Sequence, residues 1–148
     1  MRFALLCILC GTILCFIPKT TGASSDTDEH LAELEIQRNF ETTLDLWRDG
    51  RYEELYERTY ADGSRSREAF IRRITAAARK PACCWEKLQE VSVSKGPGKK
   101  ATLHARIGLE SRFGDTEYST RSFRMKQDNG VWKPAMSDIL SLAGKAGR

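Results

Sequence analysis

Two adjacent thiols are the most reactive groups in this sequence. Of its five cysteines, only Cys83 and Cys84 lie beyond residue 23. In an oxidising compartment such a pair can close on itself. A bond between chain neighbours makes a small ring, and strained disulfides are the easily reduced, regulatory or catalytic kind. The structural alternatives are pairing with another chain or burial as inert thiols. Two thiolates do not complete a zinc site, and neither histidine is near them in sequence. The Cys-x-x-Cys spacing of thioredoxin-like centres is absent. Cys83 and Cys84 are therefore redox or disulfide candidates, and neither a metal nor a cofactor is expected.

Proton-transfer chemistry has weaker support. His104 alternates with Arg106 and Glu110 on the polar side of a strand pattern. A general base needs a pocket and an orienting partner. An outer face offers neither, so His104 reads as a surface or dimer-interface residue. Tyr52 and Tyr56 could donate hydrogen bonds into an apolar pocket. An isomerase would pair them with a carboxylate whose pKa is tuned by burial. The inward row of the clearest strand is Leu103, Ala105, Ile107 and Leu109, and none of these moves a proton. No catalytic residue is assigned. The candidate pocket is instead a ring of apolar groups: Trp47, Trp85 and Trp132, with Tyr52, Tyr56, Phe70, Ile74, Leu103 and Ile107. A preformed apolar pocket implies a small hydrophobic ligand.

Three helices and a run of strands must position these groups. Ile36, Phe40, Thr43, Leu44 and Trp47 recur at steps of three and four, which predicts a helix from Leu31 to a stop at Gly50. Residues 24–30 are polar and read as a flexible lead-in. A second helix spans Tyr52–Tyr60. Ser66 caps a third that carries Phe70, Ile71, Ile74 and Ala78 and ends before Pro81. The period then changes to two. Val91 and Val93 mark a first strand, and the Leu103–Leu109 row marks the second. Tyr118–Gln127 is a third. Asn129-Gly130 is a tight-turn signal. Val131–Met136 is a fourth strand, placed at an edge by Pro134. A terminal helical turn follows over Asp138–Ala143, and residues 144–148 read as a loose tail. Helices followed by an antiparallel meander of about four strands make an α+β plan, with the helices packed on a curved sheet. There is no internal repeat.

This order resembles the NTF2-like superfamily over about Leu31 to Leu142. The resemblance rests on Leu46-Trp47-Arg48-Asp49-Gly50-Arg51-Tyr52 at the end of a long helix. It rests also on Ser66-Arg67-Glu68-Ala69-Phe70-Ile71 opening the third helix, and on Asn129-Gly130-Val131-Trp132-Lys133 entering the last strand. It implies a curved sheet wrapped around helices as a cone, and in many relatives a dimer through the outer sheet face. No hairpin is evident between the second and third helices, which leaves a simpler cystatin-like arrangement open. The family includes isomerases, cyclases, dehydratases, carriers and non-catalytic assembly domains, so the resemblance does not choose a function.

Residues 1–23 read as a secretory signal. Arg2 begins it, Phe3 to Ile17 is its apolar run, and Thr21-Gly22-Ala23 ends it in small residues. The run is short for a membrane helix, which needs about 20 apolar residues. Membrane attachment would therefore require an uncleaved signal. Residues 31–143 would form the domain of an exported protein, periplasmic or secreted, of bacterial type. At 148 residues the chain has length for one domain, which excludes a multidomain enzyme. The net charge of +4 falls to +2 without Arg2 and Lys19, which does not imply nucleic acid. Ser24–Gly63 is net acidic and the rest net basic. Arg106, Arg112, Arg124 and Lys126 could share one sheet face. Exposed aromatics interleaved with these cations, the mark of a nucleic-acid surface, are missing. The reading is a non-catalytic exported domain that binds a small apolar ligand or a protein partner. The alternatives are a small isomerase or dehydratase, or a redox-responsive envelope protein using Cys83-Cys84.

Overall fold

A computed structural model describes residues 23–144, with side chains from Thr27 onward. Residues 1–22, all of the signal segment but Ala23, and residues 145–148 lie outside the described residues. Helix α1 runs Ala23–Arg48. It begins earlier than Leu31, because no glycine or proline interrupts residues 24–30 and polar side chains do not by themselves break a helix. Thr27–His30 are exposed, and Glu29 reaches Lys95 at 3.8 Å. The predicted stripe is buried: Ile36, Phe40 and Leu44 are fully covered, and Thr43 turns its hydroxyl back onto Asn39 O. Gly50, at φ +75°, stops the helix in a left-handed conformation.

Helix α2 is Tyr52–Glu57 and α3 is Arg67–Thr75. Ser66 caps α3 by accepting the Ala69 N–H at 3.3 Å. Phe70 and Ile74 form its buried side. Both helices are shorter than their sequence patterns. Tyr60 leaves the helical path to bond Pro134 O at 3.0 Å. Ala78 is outside α3, which gives way to a strand, β1, at Arg79–Pro81. Pro81 therefore ends an edge strand, not a helix. Proline is tolerated there because an edge has N–H groups with no ladder to serve.

Three longer strands follow, β2 at Leu88–Lys95, β3 at Lys100–Ser111 and β4 at Thr116–Asp128. A short β5, Val131–Pro134, leads into α4, Met136–Leu142. The five strands are antiparallel and curled around the helices. β3 is central: β4 pairs along one side, while β1 and β2 share the other end to end. β5 extends β4 as an edge, as Pro134 requires. Asn129 at φ +50° and Gly130 at φ +80° make the tight turn between them. A bulge in β2 between Gln89 and Ser92 lets Leu88, Val91 and Val93 all face the core, although their spacing changes parity.

The core fills the inside of the curl. Leu103, Ala105 and Ile107 of β3 are fully covered, as are Phe70 and Leu55. Phe40 meets Phe123 with ring centroids 4.5 Å apart. Helix α4 closes one end with Met136, Ile139, Leu140 and Leu142. A carboxylate cluster holds it in place. Asp62 accepts the Ser137 N–H at 3.0 Å and pairs with Arg124 at 2.6 Å. Asp138 takes the Arg124 backbone N–H at 2.8 Å, continuing the ladder where β5 has ended.

Candidate functional site

The predicted pocket residues separate into three groups. Phe70, Leu103 and Ile107 are fully buried, and Trp132 is nearly so. They belong to one buried cluster, away from the clefts described below. Trp132 does this at the cost of an indole N–H without a partner, the one such buried side-chain atom among the described residues. Tyr56 lies against Phe70 at 5.7 Å, under the Arg67 guanidinium. Trp85 is 73% exposed and forms no pocket wall. The reason lies in the chain path. β1 and β2 pair with the same edge of β3, so residues 82–87 must arch out between them. The arch crosses Gly108, where a Cβ would stand 2.3 Å from Glu86 O. Only glycine leaves room for that crossing, and Trp85 rides on its crest.

Trp47, Tyr52 and Ile74 do converge. They line an open cleft of about 250 Å³ at the mouth of the curl, with Arg79, Glu110 and Arg112 on its polar side. A second depression of about 420 Å³ shares Ala78, Arg79, Ser111 and Arg112 with it and runs on to Phe113. The two form one groove, from a tryptophan floor to an aromatic ring that is 96% exposed. Pairing of β1 with the last residues of β3 assembles it: Arg79 stands opposite Ser111, and Lys80 opposite Glu110.

Charge in the groove is unequally satisfied. Glu110 pairs with Arg48 at 2.9 Å, and Arg48 also donates to Pro81 O at 3.0 Å. Arg79 is held by Asp115 at 2.8 Å and Glu117 at 3.1 Å. The Ser111 hydroxyl and the Arg79 guanidinium hold the Asp115 carboxyl below the usual carboxylate range. Lys80 and Arg112 are exposed, with no ion pair among the described residues. The arrangement thus offers an apolar floor and two uncommitted cations. Glu110 is the carboxylate that sequence reasoning did not place beside Tyr52. Its bond to Arg48 and its 30% exposure make it unlike the desolvated base an isomerase needs.

Arg112 lies in the β3–β4 turn, apart from Arg106, Arg124 and Lys126, whose positions on β3 and β4 share the outer sheet face. That face is internally paired. Arg106 stacks on Tyr118 at 4.1 Å and reaches Glu90 at 3.3 Å. His104 meets the Ser122 hydroxyl at 3.0 Å, without a carboxylate to orient it. A broader depression, about 550 Å³, lies beside Tyr60, Lys100 and Lys126. Its Arg124 is committed to Asp62 and Asp138.

Cys83 and Cys84 are bonded to each other on the arch. Among the described residues no group of three histidine, cysteine or acidic side chains could hold a metal. No described helix is long and apolar enough to cross a membrane.

No protein-family model and no curated protein matches the chain. The solved structure of Aln2 from a Streptomyces species is similar to it, with a TM-score of 0.50 and 11% sequence identity. The match covers 74% of this chain and 93% of that one. At that identity the likeness shows a shared fold and carries nothing about activity.

Proposed function

We propose that this protein is a non-catalytic, exported binding domain with an NTF2-like cone. Its ligand is a small molecule with an apolar body and an anionic head, held in the groove at the cone mouth. One observation carries the reading: Trp47, Tyr52 and Ile74 share a cleft with the uncommitted cations of Lys80 and Arg112. Trp47 and Ile74 are 2% and 1% exposed and form only the base of the cleft, so the ligand body would lie against Tyr52 and toward Phe113, where burying apolar surface stabilises it by roughly 25 cal/mol per Å². The head would face the two cations. Both carboxylates bordering the groove are engaged by arginine, Glu110 by Arg48 and Asp115 by Arg79, which favours binding over proton transfer.

Titration with decanoate and with decanol tests this. Decanoate is expected to bind more tightly. The double substitution Lys80→Glu and Arg112→Glu should weaken it roughly tenfold, since each exposed charge contact contributes up to about 1 kcal/mol. Decanol should bind the two forms alike. Equal affinity for acid and alcohol in the original chain would refute the anionic head. N-terminal sequencing of the protein from its own host tests export, with a start at Ser24 expected and an intact Met1 against it.

A further inference from the structure

We infer that the Cys83–Cys84 bond is a thiol–disulfide exchange site, opened by a dithiol reductant while the rest of the fold stays closed. The inference is independent of the ligand groove.

Three observations carry it. Both cysteines are exposed, at the crest of the arch between β1 and β2. A disulfide that only stabilised the domain would join distant parts of the chain, because its effect grows with the loop it closes. This one closes no loop and ties no element to another. Second, Cys84 sits at φ +58°. A residue with a Cβ rarely takes that left-handed conformation. The bond to Cys83 constrains it there, and opening the bond gives the residue a route out. Third, the arch's contacts with the rest of the fold lie on either side of the pair; within the arch the Cys84 carbonyl accepts the Lys87 N–H at 3.4 Å. Ala82 donates to Gly108 O at 2.9 Å, and Gly108 donates to Lys87 O at 3.4 Å. Lys87 reaches Asp45 on α1 at 2.6 Å, and the Tyr118 hydroxyl donates to Glu86 at 3.3 Å. These contacts remain when the sulfurs part. The change is confined to residues 83–85, and Trp85 is carried with it.

The chemistry balances with a dithiol as co-reactant. One thiolate attacks an exposed Sγ, the bond between Cys83 and Cys84 breaks, and a mixed disulfide forms. The second thiol of the reductant attacks that intermediate and leaves as a cyclic or protein disulfide. Cys83 and Cys84 gain two electrons and two protons, and the reductant gives up the same. A monothiol would need a second molecule for the release, so a dithiol is the better partner. The exposed indole of Trp85 offers such a partner an apolar landing point beside the target sulfurs.

The test uses the full, folded, oxidised chain. It is treated with dithiothreitol without denaturant, alkylated with iodoacetamide and mapped by peptide mass, which separates this pair from Cys7, Cys10 and Cys15. Cys83 and Cys84 should be unmodified before reduction and alkylated together after it. Near-ultraviolet circular dichroism from the core should be kept. Trp85 emission should change on reduction and return on reoxidation. Trp85→Phe should lose the emission change and keep the alkylation pattern. Three results would overturn the inference: alkylation before reduction, alkylation only after unfolding, or unchanged Trp85 emission in the reduced folded chain. Decanoate binding by the Cys83→Ser, Cys84→Ser double variant should match the original, which keeps this result separate from that of the groove.

Discussion

Strand β3 contributes to two places that behave in opposite ways. Its middle residues, Leu103, Ala105 and Ile107, face the inside of the curl and are fully covered. Its last residues, Glu110 and Ser111, open onto a groove where Lys80 and Arg112 have no ion pair among the described residues. The inside is packed by buried residues of α1, α3 and β4 among the described residues. The mouth is left open because only a three-residue strand, β1, covers that end of β3. A curled sheet can thus be filled for stability along most of its length and keep recognition for its rim. The candidate pocket moves accordingly, from the interior to the edge.

Substitution inside the curl should do most to separate the two regions. Phe40→Ala removes a fully buried ring packed on Phe123 and should cost about 3–5 kcal/mol of stability, read by urea denaturation. Binding per folded molecule should change little. A large loss of binding in molecules still folded would join the regions that the geometry separates.

A smaller effect is expected at Asp62, which ties α4 to β4 far from the groove. Burial alone would raise its pKa. The hydroxyl and N–H of Ser137 and the Arg124 guanidinium outweigh this and hold the carboxyl below its usual range. A carboxyl with a lowered folded-state pKa stabilises above its unfolded value, near 3.8, and loses that contribution as pH falls through the folded value. Asp62→Asn should therefore cost about 1.5–3 kcal/mol at neutral pH, typical of a hydrogen bond to a charged group. The gap from the original chain should close in acid. A gap constant from neutral pH into acid would show that the ionised carboxylate contributes nothing.

Local periodicity made most of the fold legible. The Ile36–Trp47 stripe, the alternation of Leu103–Leu109 and the Asn129-Gly130 turn each carry their own signal over a few residues. β1 carries none. Arg79-Lys80-Pro81 is a strand because of what lies about thirty residues later, and its proline reads locally as a helix stop. The alanines at 76–78 favour helix on propensity, but the chain must leave α3 to reach the edge of β3. Missing β1 hid the groove as well. Trp47, Tyr52 and Ile74 lie on helical stripes, whereas Lys80 joins them through the β1–β3 pairing and Arg112 through the turn that follows β3. Trp85 was misplaced for a related reason. Nothing near it in sequence announces an arch, and the sign of it is Gly108, on another strand.

The most direct measurement is a map of where an apolar-bodied anion binds. The isotope-labelled protein would be titrated with anilinonaphthalene sulfonate and followed by two-dimensional NMR, with backbone shifts read residue by residue. Binding at the mouth predicts the largest changes at Trp47, Tyr52, Ile74, Lys80 and residues 110–113, with Leu103 and Phe123 almost unmoved. Changes centred on Leu103, Ile107 and Phe123, or on Tyr60, Lys100 and Lys126, would contradict a groove at the cone mouth.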